Sequence, residues 1–128
     1  MLSSTPMRQI DPAHINQDGP TSVNFRPLPK DMGRLSVDHG EGLDPLTSFN
    51  RAIENEMRSA GVMSVCPDVI SDLDMAVIPD PVSAPPLNVA NPDHCLVEFP
   101  EPPKRWKNIG QRLKLAAKWL HQAPDESS

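Results

Sequence analysis

An α+β fold with a small, mostly antiparallel sheet is predicted by three features of the sequence. Two segments, 44–60 and 102–123, have helical periodicity and clear end signals. Before and between them lie short apolar runs bounded by glycine or proline, which are typical of strands. Sixteen of the 128 residues are proline, about twice the usual share, so we expect many short elements. We predict about three or four short strands with the two helices packed on one face.

The chain divides into a leader, one domain and a tail. Residues 1–22 mix small and polar residues with isolated apolar ones and hold no period, which predicts a disordered leader. Residues 23–123 are long enough for a single α+β domain and too short for two. Residues 124–128 follow the last helical pattern and are predicted to be a disordered tail.

The strongest helical pattern covers residues 102–123. Its apolar residues recur at spacings of three and four and fall within an arc of about 120°. They are Trp106, Ile109, Leu113, Ala116, Ala117 and Leu120. Pro102 and Pro103 suit the first turn of a helix, and Pro124 marks its end.

The other helical pattern covers residues 44–60. Asp44 is a good N-cap, Pro45 suits the first helical position, and Gly61 is a suitable C-terminal cap. An apolar stripe at helical spacing, centred on Phe49, Ile53 and Met57, predicts that this helix also packs on the sheet.

Four apolar runs predict the strands, at residues 35–37, 62–66, 75–78 and 94–99. Residues 67–73 are either one helical turn or a loop. The segment 80–92 is too rich in proline for a helix or an internal strand. We therefore predict a long loop there, which would join the last two strands as a wide hairpin.

Charge is unevenly distributed along the chain. Residues 1–103 contain six basic and fifteen acidic residues, whereas six basic residues and no acidic residue lie between Lys104 and Lys118. An acidic body argues against a domain-wide nucleic-acid surface, which would be basic overall. The pattern leaves room for a local basic surface on the C-terminal helix.

That basic surface is the predicted partner-binding site. If 102–123 is one helix, Lys104, Lys107, Lys114 and Lys118 share one flank within about 80°. Trp119 lies off the apolar arc, so we expect it to be partly exposed and to anchor a partner. Leu115 falls almost opposite the apolar arc and adds apolar surface there.

Catalytic and metal-binding patterns are weak. There is no nucleophile elbow, Walker loop or dinucleotide-binding glycine motif. A base could come from His94 or His39, a nucleophile from Ser36 or Cys66, and an orienting group from Asp31 or Asp38. The trio to test is His94, Ser36 and Asp31, around the 26–36 segment. The spacing of the histidines and cysteines is not that of a zinc site, so we predict no metal or other cofactor.

Targeting signals do not change this interpretation. The N-terminus has no apolar signal core and no window is apolar enough for a membrane span. Two widely spaced cysteines, Cys66 and Cys95, do not form a disulfide framework. We therefore expect a cytoplasmic protein with free thiols and no membrane association.

Together these features predict a small accessory protein, rather than an enzyme, that binds a protein partner. We expect the surface to be formed by the basic C-terminal helix and the proline-rich loop before it, with Trp119 or Trp106 as an apolar anchor. Its size and acidity resemble those of antitoxins and inhibitors, an analogy of composition alone. A nucleic-acid-binding module that uses the lysine flank is the alternative, because lysines also contact phosphates. A small hydrolase or transferase around His94 and the 26–36 segment is the third hypothesis.

Overall fold

The computed structural model describes residues 5–124 as an α+β fold around one six-stranded sheet. The strands of this sheet are β1 (Met7–Gln9), β4 (Arg34–Asp38), β5 (Gly61–Ser64), β6 (Ala76–Pro79), β7 (His94–Glu98) and β8 (Trp119–Gln122). Their spatial order is β6-β7-β4-β1-β5-β8, and each of these pairings is antiparallel. The α+β class is confirmed, while the described sheet is larger than the three or four strands predicted.

The remaining elements are three α-helices, several short 3-10 turns and a small ribbon. The helices are α1 (Pro45–Glu54), α2 (Pro67–Asp72) and α3 (Trp106–Ala116). The ribbon pairs β2 (Ile15–Asn16) with β3 (Gly19–Pro20). The sequence predicts either a helical turn or a loop for the segment 67–73, and the structure shows the helical form, α2.

The two long helices pack on opposite faces of the sheet, not on one face as predicted. On the α3 face, Ile109 and Leu113 join a core with β4 and β7 side chains such as Leu35 and Val97. On the other face, Phe49 of α1 packs with residues of β1 and β5, forming a smaller cluster. All four residues of β5 are buried, as expected for a strand covered on both faces.

The predicted disordered leader differs from the structure over residues 5–22, while residues 1–4 lie outside the described range. β1 lies in the interior of the sheet, between β4 and β5. The side chain of Asn24 explains the order of the next segment: its Oδ1 accepts from the Asp11 N–H at 2.8 Å, and its Nδ2 donates to the His14 carbonyl at 3.2 Å. Such a non-local contact leaves no periodic signal in the sequence.

The predicted helix at 102–123 ends early. A 3-10 turn at Pro103–Arg105 leads into α3, which stops at Ala116, and Ala117 is extended. The chain then forms β8, and just before it the Lys118 carbonyl accepts from the Ser64 N–H at 2.9 Å. A buried β5 needs a hydrogen-bonding partner along its second edge, and this requirement outweighs the helical pattern of Leu120.

α1 is also shorter than the predicted 44–60 helix. Its start is confirmed, since the Asp44 side chain accepts from the Leu46 N–H at 2.7 Å. Beyond the helix, Glu56 adopts a left-handed φ of 62° and turns the chain. Of the predicted stripe, Phe49 is buried, while Ile53 and Met57 are about half exposed.

The wide hairpin is confirmed. β6 and β7 pair over four residues, and the proline-rich 80–92 segment connects them. That segment lies over the α1 face, where Asn55 at the end of α1 exchanges two hydrogen bonds with Val89, at 2.9 and 3.0 Å. The predicted tail at 124–128 lies outside the described residues except for Pro124.

Candidate functional site

Three of the four predicted lysines lie on one side of the C-terminal helical segment. Lys104 is in the 3-10 turn, and Lys107 and Lys114 are in the first and last turns of α3. Lys104 and Lys107 are exposed, and Lys114 is half-buried. Within residues 5–124 none of these lysines lies in an ion pair with a carboxylate.

Lys118 and Trp119 do not share that helical face, because α3 has ended before them. Lys118 is exposed in the link to β8. Trp119 is half-buried and packs against the core cluster on the α3 face. A register irregularity between β8 and β5 lets His121 turn the opposite way, where its ring lies 4.8 Å from that of Phe49. Much of Trp119 therefore serves the fold rather than a free surface.

Leu115 is the most exposed of the large apolar residues described in α3 and β8. Its side chain is 71% exposed, and it lies on the side of α3 opposite the buried Ile109 and Leu113. We call Lys104, Lys107, Lys114 and Leu115 the basic face of α3. An exposed large aliphatic side chain beside a flank of lysines that form no ion pair within the described residues is a combination expected of an interaction surface.

Close packing holds α3 firmly beneath this face. Gly110 lies against the 3-10 turn at Ser22–Phe25, and a Cβ on Gly110 would come within 3.1 Å of the Ser22 carbonyl oxygen. At the start of the helix, the Trp106 indole donates to the Pro100 carbonyl at 2.7 Å and packs edge-on to Phe99. The basic face is therefore presented on a rigid support.

A cleft of about 190 Å³ lies on the opposite face of the sheet, between α1, β1, β4 and the 80–92 loop. Apolar side chains form much of its wall: Met7, Ala52, Met57, Val82 and Leu87. Its polar groups include Arg8, Ser36, Asp38, Ser48 and Asn91. An apolar pocket with a few convergent polar groups is the usual form of a small-molecule site.

A hydrogen-bond network centred on Asp38 stabilises the walls of this cleft. Ser48 donates to Asp38 at 2.5 Å, and Asn91 donates to its other oxygen at 2.8 Å. Gln9 donates to the Ser48 hydroxyl at 2.9 Å. Asp38 and Ser48 are both buried. Both carboxylate oxygens of Asp38 accept a hydrogen bond. The network therefore joins β1, β4, α1 and the 80–92 loop.

Arg8 occupies a gap between β1 and β4. These strands pair only at Met7 and Asp38, and beyond that point the Arg8 guanidinium donates to the Ser36 carbonyl at 2.8 Å and to the Asn24 carbonyl at 2.9 Å. Burial lowers the pKa of Arg8, while the charges of Asp31, Asp11 and Asp38 act in the opposite direction.

The proposed catalytic trio is not assembled. Ser36 and His94 both border the cleft, but no hydrogen bond joins them. His94 Nδ1 lies 2.9 Å from the Asp80 carbonyl oxygen and 3.2 Å from its carboxylate. Asp31 lies in a separate 3-10 turn, where it accepts from the Leu28 N–H at 2.8 Å. A nucleophile, base and orienting group are thus not linked.

The described residues contain neither a cluster suited to a metal ion nor a helix suited to span a membrane. Across residues 5–124, no group of three or more histidine, cysteine, aspartate or glutamate side chains is arranged to hold a metal ion. No helix in the same range has the length and apolar character needed to cross a bilayer.

Sequence reasoning identified the basic face and missed the cleft. The sequence pattern places Arg8 in the leader and Val82, Leu87 and Asn91 in a long loop, and it predicts no contact between the two segments. No pattern links these residues in the sequence, because they meet only through strand pairing and loop closure. Comparison with protein-family models, curated proteins and solved structures finds no match for this chain.

Proposed function

We propose that the chain is a small interaction protein that binds an acidic protein partner through the basic face of α3. The observation that carries the proposal is the exposure of Leu115 on the same helical segment as three lysines, Lys104, Lys107 and Lys114, that have no described acidic partner. Basic side chains steer an acidic partner into contact, and an apolar anchor then supplies short-range affinity. Leu115 takes the anchoring role first assigned to Trp119, because Trp119 packs on the core.

The charge distribution supports a protein partner over a nucleic acid. The whole chain has a net charge of −5, so a long polyanion would be repelled by much of the surface outside α3. A compact partner with an acidic patch meets only the basic face. Lys118, exposed just after α3, would extend the contact at its edge. An antitoxin-like or inhibitor-like role is one form that such binding would take.

The test compares two variants in affinity capture from the source cell, followed by measurement with the purified companion. Lys107→Glu with Leu115→Ser removes one cation and the anchor on the exposed side of α3. Lys30→Glu reverses an exposed lysine in a different turn and is the matched control. We expect the double variant to weaken binding at least tenfold, and the control to leave it within about twofold.

Salt titration separates the two binding hypotheses. A nucleic-acid module would bind generic DNA or RNA with a steep log–log dependence on salt, close to one unit per phosphate contact. An acidic protein companion that binds both the double variant and the wild type equally would overturn the proposal. Salt-dependent binding of generic nucleic acid, lost in the double variant, would favour the alternative.

A further inference from the structure

We propose that the cleft beneath the 80–92 loop binds a small organic carboxylate, with its apolar part among the cleft side chains and its anionic group on Arg8. The cleft lies on the α1 face of the sheet, whereas the basic face belongs to α3 on the other side. This second site is therefore independent of the proposed partner surface.

The size and lining of the cleft indicate the body of the ligand. A dry cavity of about 150 Å³ accepts a benzene-sized molecule, and this cleft has a volume of about 190 Å³. Val82 and Leu87 of the loop, Met7 of β1 and Ala52 of α1 all line it. A single aromatic ring or a short branched chain suits that space and composition.

The charges around the cleft indicate the head group. Asp38 already accepts hydrogen bonds from Ser48 and Asn91, and Arg51 is paired with Asp93 at 2.7 Å. Arg8 differs from these groups: within residues 5–124 it bonds only to neutral carbonyls and has no carboxylate within ion-pair distance. Asp31, Asp11 and Asp38 act on this cation only from beyond ion-pair distance. An anion in direct contact with Arg8 would therefore offset more of the cost of withdrawing the guanidinium from water.

Arg8 also has a guanidinium nitrogen, Nη2, that donates no hydrogen bond within the described residues. Its Nε and Nη1 are used by the carbonyls of Asn24 and Ser36. No buried side-chain nitrogen or oxygen in that range lacks a partner, so Nη2 is not sealed away from solvent. The gap between β1 and β4 that the guanidinium occupies borders the cleft, and we assign Nη2 as the donor of a charge-assisted hydrogen bond to the ligand.

The cleft is preformed rather than created by loop closure. Asn55 holds Val89 through two hydrogen bonds, Asn91 holds Asp38, and Asn88 donates to the Glu54 carbonyl at 3.0 Å. Little ordering entropy is then lost when a ligand enters. For a ligand of roughly nine non-hydrogen atoms, we expect a dissociation constant on the order of 1 mM.

The test titrates the intact chain with benzoate, benzyl alcohol and benzylamine, which share an aromatic ring and differ in charge. Methionine methyl groups labelled with carbon-13 report where each compound binds by NMR. Met7 and Met57 border the cleft, whereas Met32 is 86% exposed elsewhere and Met75 lies in the α3-side core. We expect benzoate to shift the Met7 and Met57 signals and leave the other two unchanged.

Variants then assign the head group and the body. Arg8→Gln should weaken benzoate binding at least tenfold, while Arg34→Gln, which changes an exposed arginine on the same sheet, should not. Leu87→Trp, which fills the cleft from the loop, should abolish the shifts. Equal binding of benzoate and benzylamine, or no shift at Met7 and Met57, would overturn the inference. If Arg8→Gln does not fold, the comparison of benzoate with benzylamine on the wild-type chain still tests whether the cleft prefers an anionic head group.

Discussion

At the residue scale, a few buried polar side chains determine how this chain is connected. Asn24 is 1% exposed and holds residues 11–14 in place. Asp38 and Ser48, also buried, join a strand to α1. Each replaces hydrogen bonds to water with bonds inside the protein, so removing one partner leaves the other unsatisfied. Their sequence neighbourhoods do not distinguish them from surface residues.

Cys95 provides a prediction with a definite pH dependence. Burial raises the pKa of its thiol, and the charges of Asp38 and Asp93 act in the same direction. The unfolded chain therefore loses this proton first, near its ordinary pKa of about 8.5. It follows that the free energy of unfolding falls as pH rises above that value and towards the higher pKa of the folded protein.

Urea denaturation at about pH 8 and about pH 10 checks this expectation. Cys95→Ala lacks the titration, so it should lose less stability over this interval than the wild type. Cys66→Ala is the control for removal of a thiol and should keep the wild-type dependence. Identical pH dependence in wild type and Cys95→Ala would contradict the assignment.

At the element scale, β8 is the clearest case of tertiary context changing local structure. Apolar spacing extends the helical pattern through Leu120, yet the chain is extended from Ala117 onward. β5 is buried on both faces and takes hydrogen bonds from β1 on one side and β8 on the other. Gly61, predicted to cap a helix, instead begins β5 where β8 approaches closely.

Substitution of Gly61 tests this role for β8. Gly61 has a φ of 137°, and a Cβ there would overlap the His121 carbonyl oxygen and lie 2.9 Å from the Gln122 Cα. We expect Gly61→Ala to lower the free energy of unfolding by more than about 2 kcal/mol, because both strain and strand separation contribute.

Gly42→Ala is the matched control for this substitution. Gly42 also has a positive φ, 73°, but nothing lies within 4 Å of a Cβ there. Its cost should be that of the left-handed conformation alone, about 1–2 kcal/mol. Chemical denaturation of both variants gives the comparison, and equal losses would argue against close packing of β8 on Gly61.

At the scale of the whole molecule, the sheet separates two surfaces with different properties. The α3 side presents exposed cations and Leu115, while the α1 side contains the cleft. The loop at 80–92 covers the cleft and is held by side chains of α1, chiefly Asn55. The proposed partner surface and the proposed ligand cleft therefore share no residues.

Hydrogen exchange tests the attachment of the loop. Asn55→Ala removes both hydrogen bonds to Val89, so the Val89 amide should exchange roughly tenfold faster or more. Asn50→Ala, an exposed change on α1, should leave that rate unaltered. Unchanged protection of Val89 in Asn55→Ala would indicate that the loop is held by other contacts.

Much of the described architecture follows from the sequence, because the signals involved are local. Capping by Asp44, the apolar alternation of the strands and the proline density of 80–92 determine α1, β4–β7 and the wide hairpin. The exposure of Leu115 also follows from the helical geometry of its own segment. Such features depend on the spacing of neighbouring residues, which one sequence is sufficient to show.

Only the tertiary structure decided the interior position of β1, the strand state of residues 119–122, the opposite placement of α1 and α3, and the cleft. Each depends on groups far apart in the chain, such as Arg8 with Ser36 or Asn91 with Asp38. Strands take hydrogen bonds from any segment that offers a suitable edge, and buried polar groups require partners wherever the fold supplies them. Pairing between distant segments leaves no spacing pattern, so it emerges only when the sheet is assembled.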